Sequence, residues 1–171
     1  MKNTVIIQAS SRSDGDTSKV VQYVASKYDI YVINLKTKSI GHYDYDYNNE
    51  DDDFLELITE IIKKYDILIF ATPVYWYSMS GILKVFFDRI SDLLRIHKDT
   101  GRKLRGKRMA MISISNHDDL KEGFTMPFME SANYLGMNYI GDTHAYVANG
   151  ELDTEVINRL KTLMEKVRKT I

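Results

Sequence analysis

The most apolar run of the chain reads Ile67-Leu68-Ile69-Phe70-Ala71, and Thr72-Pro73-Val74-Tyr75-Trp76-Tyr77 follows it directly. A run this short and apolar is typical of a strand that is buried on both faces of a sheet. Pro73 stops such a strand, because its φ is fixed and it has no N–H to donate. We therefore predict a central strand at 67–71, with a loop rich in aromatic residues at its carboxyl end.

Short apolar runs of the same kind recur along the chain, and amphipathic runs separate them. We predict further strands at 4–9, 30–33, 109–114 and 139–147, and helices at 17–27, 54–62, 82–94, 122–136 (with Pro127 in its first turn) and 152–171. Strands that alternate with helices favour parallel βαβ units with right-handed crossovers. We expect one α/β domain over residues 1–171. Its ligand loops, beyond the carboxyl ends of the strands, are then 10–16, 72–80 and 115–121.

The composition excludes several classes of protein. Lys and Arg number 23 and Asp and Glu 24, so a net charge of −1 gives no general attraction to nucleic acid or to an anionic membrane. The lack of cysteine excludes disulfides, iron–sulfur clusters and the nucleophile of a low-molecular-weight phosphatase. No apolar run reaches the roughly 18 residues of a membrane span. The N-terminus shows no signal-peptide pattern, so we expect a cytoplasmic protein.

The loop after the first strand has the composition of a phosphate-binding loop. Residues 10–18 read Ser-Ser-Arg-Ser-Asp-Gly-Asp-Thr-Ser and lead into a predicted helix. Free N–H groups at a helix N-terminus favour an anion, hydroxyls donate to its oxygens, and Gly15 allows a tight wrap. The alternative is a polar turn in which Asp16 or Thr17 caps the helix.

The loop after the central strand is the second candidate site. It holds Trp76, the only tryptophan, between Tyr75 and Tyr77. Aromatic side chains at a ligand-binding edge can stack on a planar ring, and Ser78 or Ser80 can cap the helix that follows. The alternative is that the aromatic residues cover the core or form a dimer interface.

Three segments together resemble the NAD(P)H-dependent FMN reductases of the flavodoxin-like superfamily. They are Ser10-x-Arg12-x-x-Gly15-x-Thr17, Thr72-Pro73-Val74-Tyr75-Trp76, and Ser78-Met79-Ser80-Gly81-x-Leu83-Lys84-x-Phe86-x-Asp88-Arg89. The stretches 65–70 and 104–107 are also similar to that family. The resemblance spans most of residues 4–115, and 65–89 is its most specific part.

The resemblance implies a flavodoxin-like three-layer sandwich, with a five-stranded parallel sheet of order 2-1-3-4-5, that binds FMN. By position, the residues implied at the cofactor are Ser10, Arg12, Gly15, Asp16, Thr17 and Ser18 around the phosphate, Pro73, Val74, Tyr75, Trp76 and Ser78 along the ring, and Ser115, Asn116 and His117 on a third loop. That third loop is glycine-rich in many relatives and is not so here. No catalytic side chain and no metal ion is implied, because the flavin carries the redox step.

The implied activity is the transfer of electrons from NADPH or NADH, through FMN, to a quinone, a free flavin, an azo compound or a similar small acceptor. The backbone N–H groups of residues 74–76 are expected to donate to the ring. His117 is expected to be an ordinary loop histidine, with protonation of a product as the alternative. A homodimer is expected, because a neighbour often completes an exposed flavin face in this superfamily.

Two other functions stay open at this point. The first is an electron-carrier flavodoxin, although such carriers are usually strongly acidic and this chain is close to neutral. The second is an interaction domain that kept the fold and lost the flavin.

Two charged segments and one charged pair lie outside the predicted site, and we expect structural roles for them. The basic run 102–108 is expected to be a solvated loop, with binding of the extra phosphate of NADPH as the alternative. The acidic, tyrosine-rich segment 42–53 is expected to be a mobile flap or a subunit contact. The pair Asp88-Arg89 is expected to be a structural ion pair or a bond to a neighbouring loop.

Overall fold

A computed structural model describes residues 1–147 and 150–170. Its strands are β1 (Thr4–Gln8), β2 (Tyr31–Asn34), β3 (Ile67–Pro73), β4 (Arg108–Ser115) and β5 (Asn138–Tyr146). All neighbouring strands are parallel, in the order β2-β1-β3-β4-β5. The predicted flavodoxin-like sheet is confirmed.

Helices cover both faces of this sheet. They are α1 (Asp16–Tyr28), α2 (Asp53–Lys64), α3 (Gly81–Arg95), α4 (Lys98–Arg102), α5 (Met126–Leu135) and α6 (Thr154–Arg168). Val5 and Ile7 of β1 pack in the apolar layer that contains α2, α3 and α5, whereas Ile6 packs in the layer that contains α1 and α6. Because both faces of β1 and β3 are buried, these strands read as continuous apolar runs rather than as alternating patterns.

The predicted elements differ from the observed ones mainly at their ends. Strand β3 continues to Pro73, which is paired in register with Ile114. Helix α4 was not predicted, because five residues are too few to show helical periodicity. Helix α5 begins at Met126 rather than at 122, and Pro127 lies in its first turn as expected. Helix α6 ends at Arg168, and the predicted end at Ile171 lies outside the described residues.

The basic run 102–108 lies at the amino end of β4, and ligands bind beyond the carboxyl ends of such strands. Lys107 Nζ donates to the Tyr65 carbonyl oxygen at 2.7 Å, and its side chain is only 12% exposed. Lys107 is therefore a packing contact rather than a solvated group. The run lies at the wrong edge of the sheet to bind the extra phosphate of NADPH in the predicted ligand loops.

Within residues 1–147 and 150–170, no helix has the length and apolar character that crossing a membrane requires.

A buried arginine fastens the long segment between β2 and α2 to helix α3. Arg89 is 2% exposed, and its guanidinium donates to the carboxylates of Asp52 and Asp92 and to the carbonyl oxygens of Gly41 and Asn49. Arg89 is thus bonded to a neighbouring loop, while Asp88 pairs with Lys84 at 2.6 Å. The segment 42–53 is anchored by these bonds, which argues against a freely mobile flap.

The contacts of Arg89 keep both Asp52 and Arg89 charged. Burial alone raises the pKa of Asp52, but hydrogen bonds from Arg89 and from the Phe54 and Gly41 N–H groups hold that pKa below its usual value. Burial lowers the pKa of Arg89, and its bonds to Asp52 and Asp92 more than offset that effect. A charged group with this many partners is costly to remove, because its partners stay buried without it.

We predict that Arg89→Leu lowers the free energy of unfolding by about 3–5 kcal/mol, because it leaves buried carboxylates without their cation. Urea unfolding followed by circular dichroism measures this loss. Arg102→Leu is the matched control, because Arg102 and its partner Asp99 are 72% and 93% exposed. An exposed pair contributes at most about 1 kcal/mol. Equal losses in the two variants would contradict the anchoring role of Arg89.

Candidate functional site

A cavity of about 440 Å³ opens at the carboxyl edge of the sheet, between the loops that follow β1, β3 and β4. This volume is in the usual range of small-molecule sites. Of the residues predicted from sequence, those that line the cavity are Ser10, Arg12, Gly15, Asp16, Thr17, Pro73, Val74, Tyr75, Trp76, Ser115, Asn116 and His117. Segments far apart in the sequence therefore enclose one space, and their contact with a ligand stays a prediction.

Ser80 joins the first two loops. Its hydroxyl donates to the Ala9 carbonyl oxygen at 2.7 Å and accepts the Leu83 N–H at 3.2 Å, so it caps α3 while holding the end of β1. The Ser80 N–H donates to Thr72 Oγ1 at 3.0 Å. Ser11 Oγ and Tyr75 Oη, 3.3 Å apart, make a second link between these loops. Of the two serines predicted to cap α3, Ser80 does so.

The first loop gives the cavity an end suited to an anion. Gly15 occupies the N-cap of α1 with no side-chain cap, so the alternative in which Asp16 or Thr17 caps the helix is not what the structure has. A Cβ on Gly15 would lie 3.6 Å from Arg12 Nε, so the guanidinium lies close to the helix start. The first-turn N–H groups, the Arg12 cation and the Thr17 hydroxyl can together bind a phosphate. The carboxylate of Asp16 lies 3.4 Å from Lys19 Nζ, which offsets its charge.

Two predicted site residues lie outside the cavity lining. Ser18 is buried, and its hydroxyl donates to the Ser13 carbonyl oxygen at 2.6 Å and accepts from Gln8 Nε2 at 2.7 Å. These bonds support the first loop from beneath and leave the hydroxyl turned away from the cavity. Ser78 closes the turn of the second loop through its backbone. Neither side chain lines the cavity, and contact of either residue with the cofactor stays a prediction.

The second loop is a tight hairpin built from unusual residues. Tyr75 and Ser78 exchange two backbone hydrogen bonds, at 2.9 and 3.0 Å, and Trp76 and Tyr77 form the turn between them with φ of 50° and 62°. Two central residues at positive φ are the mark of a type I′ turn, which prefers Asn and Gly. A bulky aromatic residue is strained there. Trp76 is 94% exposed, so burial does not compensate, and strain of this kind is concentrated at functional sites.

The hydrogen bonds of the hairpin use some of the N–H groups of residues 74–76 that were expected to donate to a ring. The Val74 N–H donates to the Ile114 carbonyl oxygen at 2.8 Å, and the Tyr75 N–H donates to the Ser78 carbonyl oxygen at 2.9 Å. Among residues 74–76, only the Trp76 N–H makes no backbone hydrogen bond in the described chain. The expectation that all three N–H groups donate to a ring is therefore wrong, because two of them hold the loop in place.

The third loop is held from the side by α6. Arg159 makes two parallel hydrogen bonds to the carboxylate of Asp118, both at 2.7 Å, and also contacts Glu155. The hydrogen bonds from Arg159 lower the pKa of Asp118, and the two carboxylates raise the pKa of Arg159. The loop lacks the glycines expected of relatives, yet Ser115, Asn116 and His117 still line the cavity.

Further lining residues were not predicted. They are Tyr77, Ile114, Asp119, Lys121 and Phe124. Three of these, Tyr77, Asp119 and Lys121, lie within the loops that the strand topology had singled out, so their position was a usable signal. Phe124 falls within the predicted helix 122–136, and it lies buried just before α5, where it lines the cavity.

The sheet order and the cavity at its carboxyl edge define a flavodoxin-like domain. Residues 2–151 match the family of NADPH-dependent FMN reductases, and the chain belongs to that family. It is therefore an oxidoreductase with FMN as its cofactor and NADPH or NADH as its electron donor.

Individual proteins support this assignment. The chain is 29% identical over 168 residues to the uncharacterized NAD(P)H oxidoreductase YdeQ of Bacillus subtilis, with 91% of this chain and 81% of that protein aligned. It is similar to the solved Trp repressor binding protein of Bacillus subtilis, with 25% identity, a TM-score of 0.68, and 96% and 95% of the two chains covered. An FMN-dependent NADH-azoreductase of Bacillus anthracis, solved with FMN, has a TM-score of 0.66 at 16% identity, with 99% of each chain covered. At that identity the last similarity concerns the fold alone.

The cavity residues fit FMN on structural grounds. One end offers uncapped helix N–H groups beside Arg12, which suits a phosphate dianion. The other side offers Tyr75 and Trp76, whose exposed rings suit a flat heterocycle.

We predict a trade-off between stability and binding in the hairpin. Replacing Trp76 by Asn and Tyr77 by Gly should raise the free energy of unfolding by about 1 kcal/mol, because Asn-Gly relieves the strain of a type I′ turn. The same double variant should bind FMN more weakly, because the aromatic rings are gone. Urea unfolding of the FMN-free protein and a flavin fluorescence titration measure the two effects.

The control for this trade-off is the double variant Trp76→Ala, Tyr77→Ala. It removes the rings but keeps a Cβ at both positive-φ positions, so it should weaken FMN binding without stabilising the fold. If both double variants changed stability equally, the hairpin would not be under strain.

Proposed function

We propose that the chain reduces a small planar acceptor, such as a quinone or a free flavin, with electrons from NAD(P)H that pass through FMN. The observation that carries this proposal is a single cavity with an anion-binding end and an exposed aromatic rim. For a quinone the reaction balances as follows. NAD(P)H gives two electrons and a proton as hydride, the solvent gives a second proton, and NAD(P)⁺ and the hydroquinone leave.

The first loop holds the phosphate of the cofactor in this proposal. Arg12 supplies the positive charge, and Ser10 and Thr17 supply hydroxyl donors beside the uncapped N-terminus of α1. Charge-assisted bonds of this kind are the strong ones in a phosphate site. Ser18 acts indirectly, since its hydroxyl keeps the loop closed against Gln8 and Ser13.

The second and third loops enclose the ring. Pro73, Val74 and Tyr75 run along one side of the cavity, and Asn116 and His117 line another part of its wall. Of the N–H groups of residues 74–76, that of Trp76 is the one left for a ring oxygen or nitrogen. Bound FMN supplies the two-electron redox chemistry, and the chain positions the cofactor and its partners. The rim of Tyr75, Trp76 and Tyr77 favours flat acceptors, because a flat ring can stack on it.

The homodimer and the cytoplasmic location stay predictions. A dimer is supported by exposed apolar side chains around helices α3 and α5, namely Leu94, Met126, Met129 and Tyr134. Light scattering during size-exclusion chromatography should give twice the mass of one chain, 19.8 kDa each. A mass of one chain at all concentrations would contradict the dimer.

The chain carries its own probe for a test of this function. Trp76 is the only tryptophan and lies at the cavity, so FMN should quench the protein fluorescence as it binds. NADPH or NADH should then bleach the flavin absorbance, and a quinone should restore it under anaerobic conditions. No quenching and no retained flavin at high FMN would contradict the proposed site.

Arg12→Gln separates the phosphate contact from the ring contact. It should weaken FMN binding by about tenfold to a hundredfold, because a charge-assisted hydrogen bond is lost. Riboflavin, which lacks the phosphate, should bind the variant and the wild type equally. Arg102→Gln, on exposed α4, should leave both ligands unaffected.

A further inference from the structure

His144 lies directly behind the third loop and has no part in the function described so far. It belongs to β5, where it is paired in register with Ser113 of β4. Its side chain is 8% exposed, and it does not line the cavity. A buried polar ring between two strands is costly unless its nitrogens are bonded, so its partners show what it does.

Both ring nitrogens have partners. Nδ1 lies 2.9 Å from Ser113 Oγ, and Nε2 lies 3.0 Å from the His117 carbonyl oxygen and 3.1 Å from Ser115 Oγ. A carbonyl oxygen only accepts, so the bond to His117 assigns the ring proton to Nε2. The other ring nitrogen, Nδ1, has the Ser113 hydroxyl as its partner.

The His117 carbonyl oxygen is also where the third loop closes on itself. It accepts from Ser115 Oγ at 2.5 Å, and Ser115 Oγ accepts in turn from the His117 N–H at 3.2 Å. This small ring of bonds is tied to the sheet through Nε2 of His144. The side chains of Asn116 and His117 that it carries line the cavity. The Nε2–H of His144 on β5 thus holds this wall from one side, while Arg159 of α6 holds the following residue, Asp118, from another.

We propose that His144 is a positioning residue that holds the wall formed by residues 115–117 and thereby sets the affinity for FMN. The affinity part rests on the proposed assignment of the cavity to FMN. The third loop carries polar side chains into the cavity wall, and a fixed bond from the sheet keeps it from entering the cavity or moving away from it.

The test replaces His144 by Gln and by Asn, whose amide groups lie at different distances from the backbone. The amide nitrogen of Gln can stand where Nε2 stands and donate to the His117 carbonyl oxygen, whereas the shorter amide of Asn reaches only the position of Nδ1, beside Ser113. His144→Gln should therefore bind FMN with nearly the wild-type dissociation constant. His144→Asn should weaken binding at least about fivefold, because the His117 carbonyl oxygen then loses its bond from β5 and keeps only the one from Ser115 Oγ. Ser113→Ala, which removes only the Nδ1 partner, should resemble His144→Gln.

Backbone hydrogen exchange in the FMN-free proteins is the second readout. Exchange at residues 115–118 should be faster in His144→Asn than in the wild type and unchanged in His144→Gln, with the β4 amides at 109–112 unchanged in both. Equal FMN affinities or equal exchange in the Gln and Asn variants would overturn the proposal, since a merely structural histidine would not distinguish them. If the wild type binds no FMN, the assignment of the cavity fails together with the affinity part, while the exchange pattern still decides whether His144 holds the loop.

Discussion

Ser80 connects the ends of β1 and β3, on which the site depends. Its hydroxyl donates to the carbonyl oxygen of Ala9, just after β1, and accepts the Leu83 N–H, which caps α3. Its own N–H donates to Thr72 Oγ1 in β3, and the residue is 1% exposed. Because β1 and β3 are also paired in parallel register, the loop after β1 and the hairpin after β3 start from fixed points that face one cavity. A ligand that spans both loops can then be bound without rearranging either of them, which lowers the entropic cost of binding.

Stability and strain lie in different parts of the molecule. The buried bonds of Arg89 hold the segment 42–53 against α3, whereas the positive-φ residues Trp76 and Tyr77 lie at the rim of the cavity. Strain of this kind persists only where the surroundings over-determine the conformation. Here the N–H groups of Val74 and Tyr75 do so, since both are used to hold the hairpin rather than to contact a ligand. The same division appears in the third loop, where His144 and Arg159 hold the backbone and leave Asn116 and His117 at the cavity.

The sequence predicts the sheet well because its signals are local. Strands β1 and β3 are continuous apolar runs, and the topology of a parallel sheet then indicates which loops meet. The direction in which a side chain points is not a local signal: the hydroxyl of Ser18, in the first turn of α1, is bonded to Gln8 and Ser13 and does not line the cavity. The role of His144 depends on the register between β4 and β5, and no short motif records that register. Helix α4 was not predicted because its five residues are too few to show a helical period.

The most direct measurement is a crystal structure of the chain grown with FMN. We expect the phosphate within hydrogen-bond distance of Arg12, Thr17 and the first-turn N–H groups of α1. We expect the ring to lie between the hairpin at 73–77 and the loop at 115–117, with the Trp76 N–H as a donor. A flavin bound elsewhere, such as the surface groove between α3 and α5 that Leu94 and Tyr134 line, would contradict the assignment of the cavity.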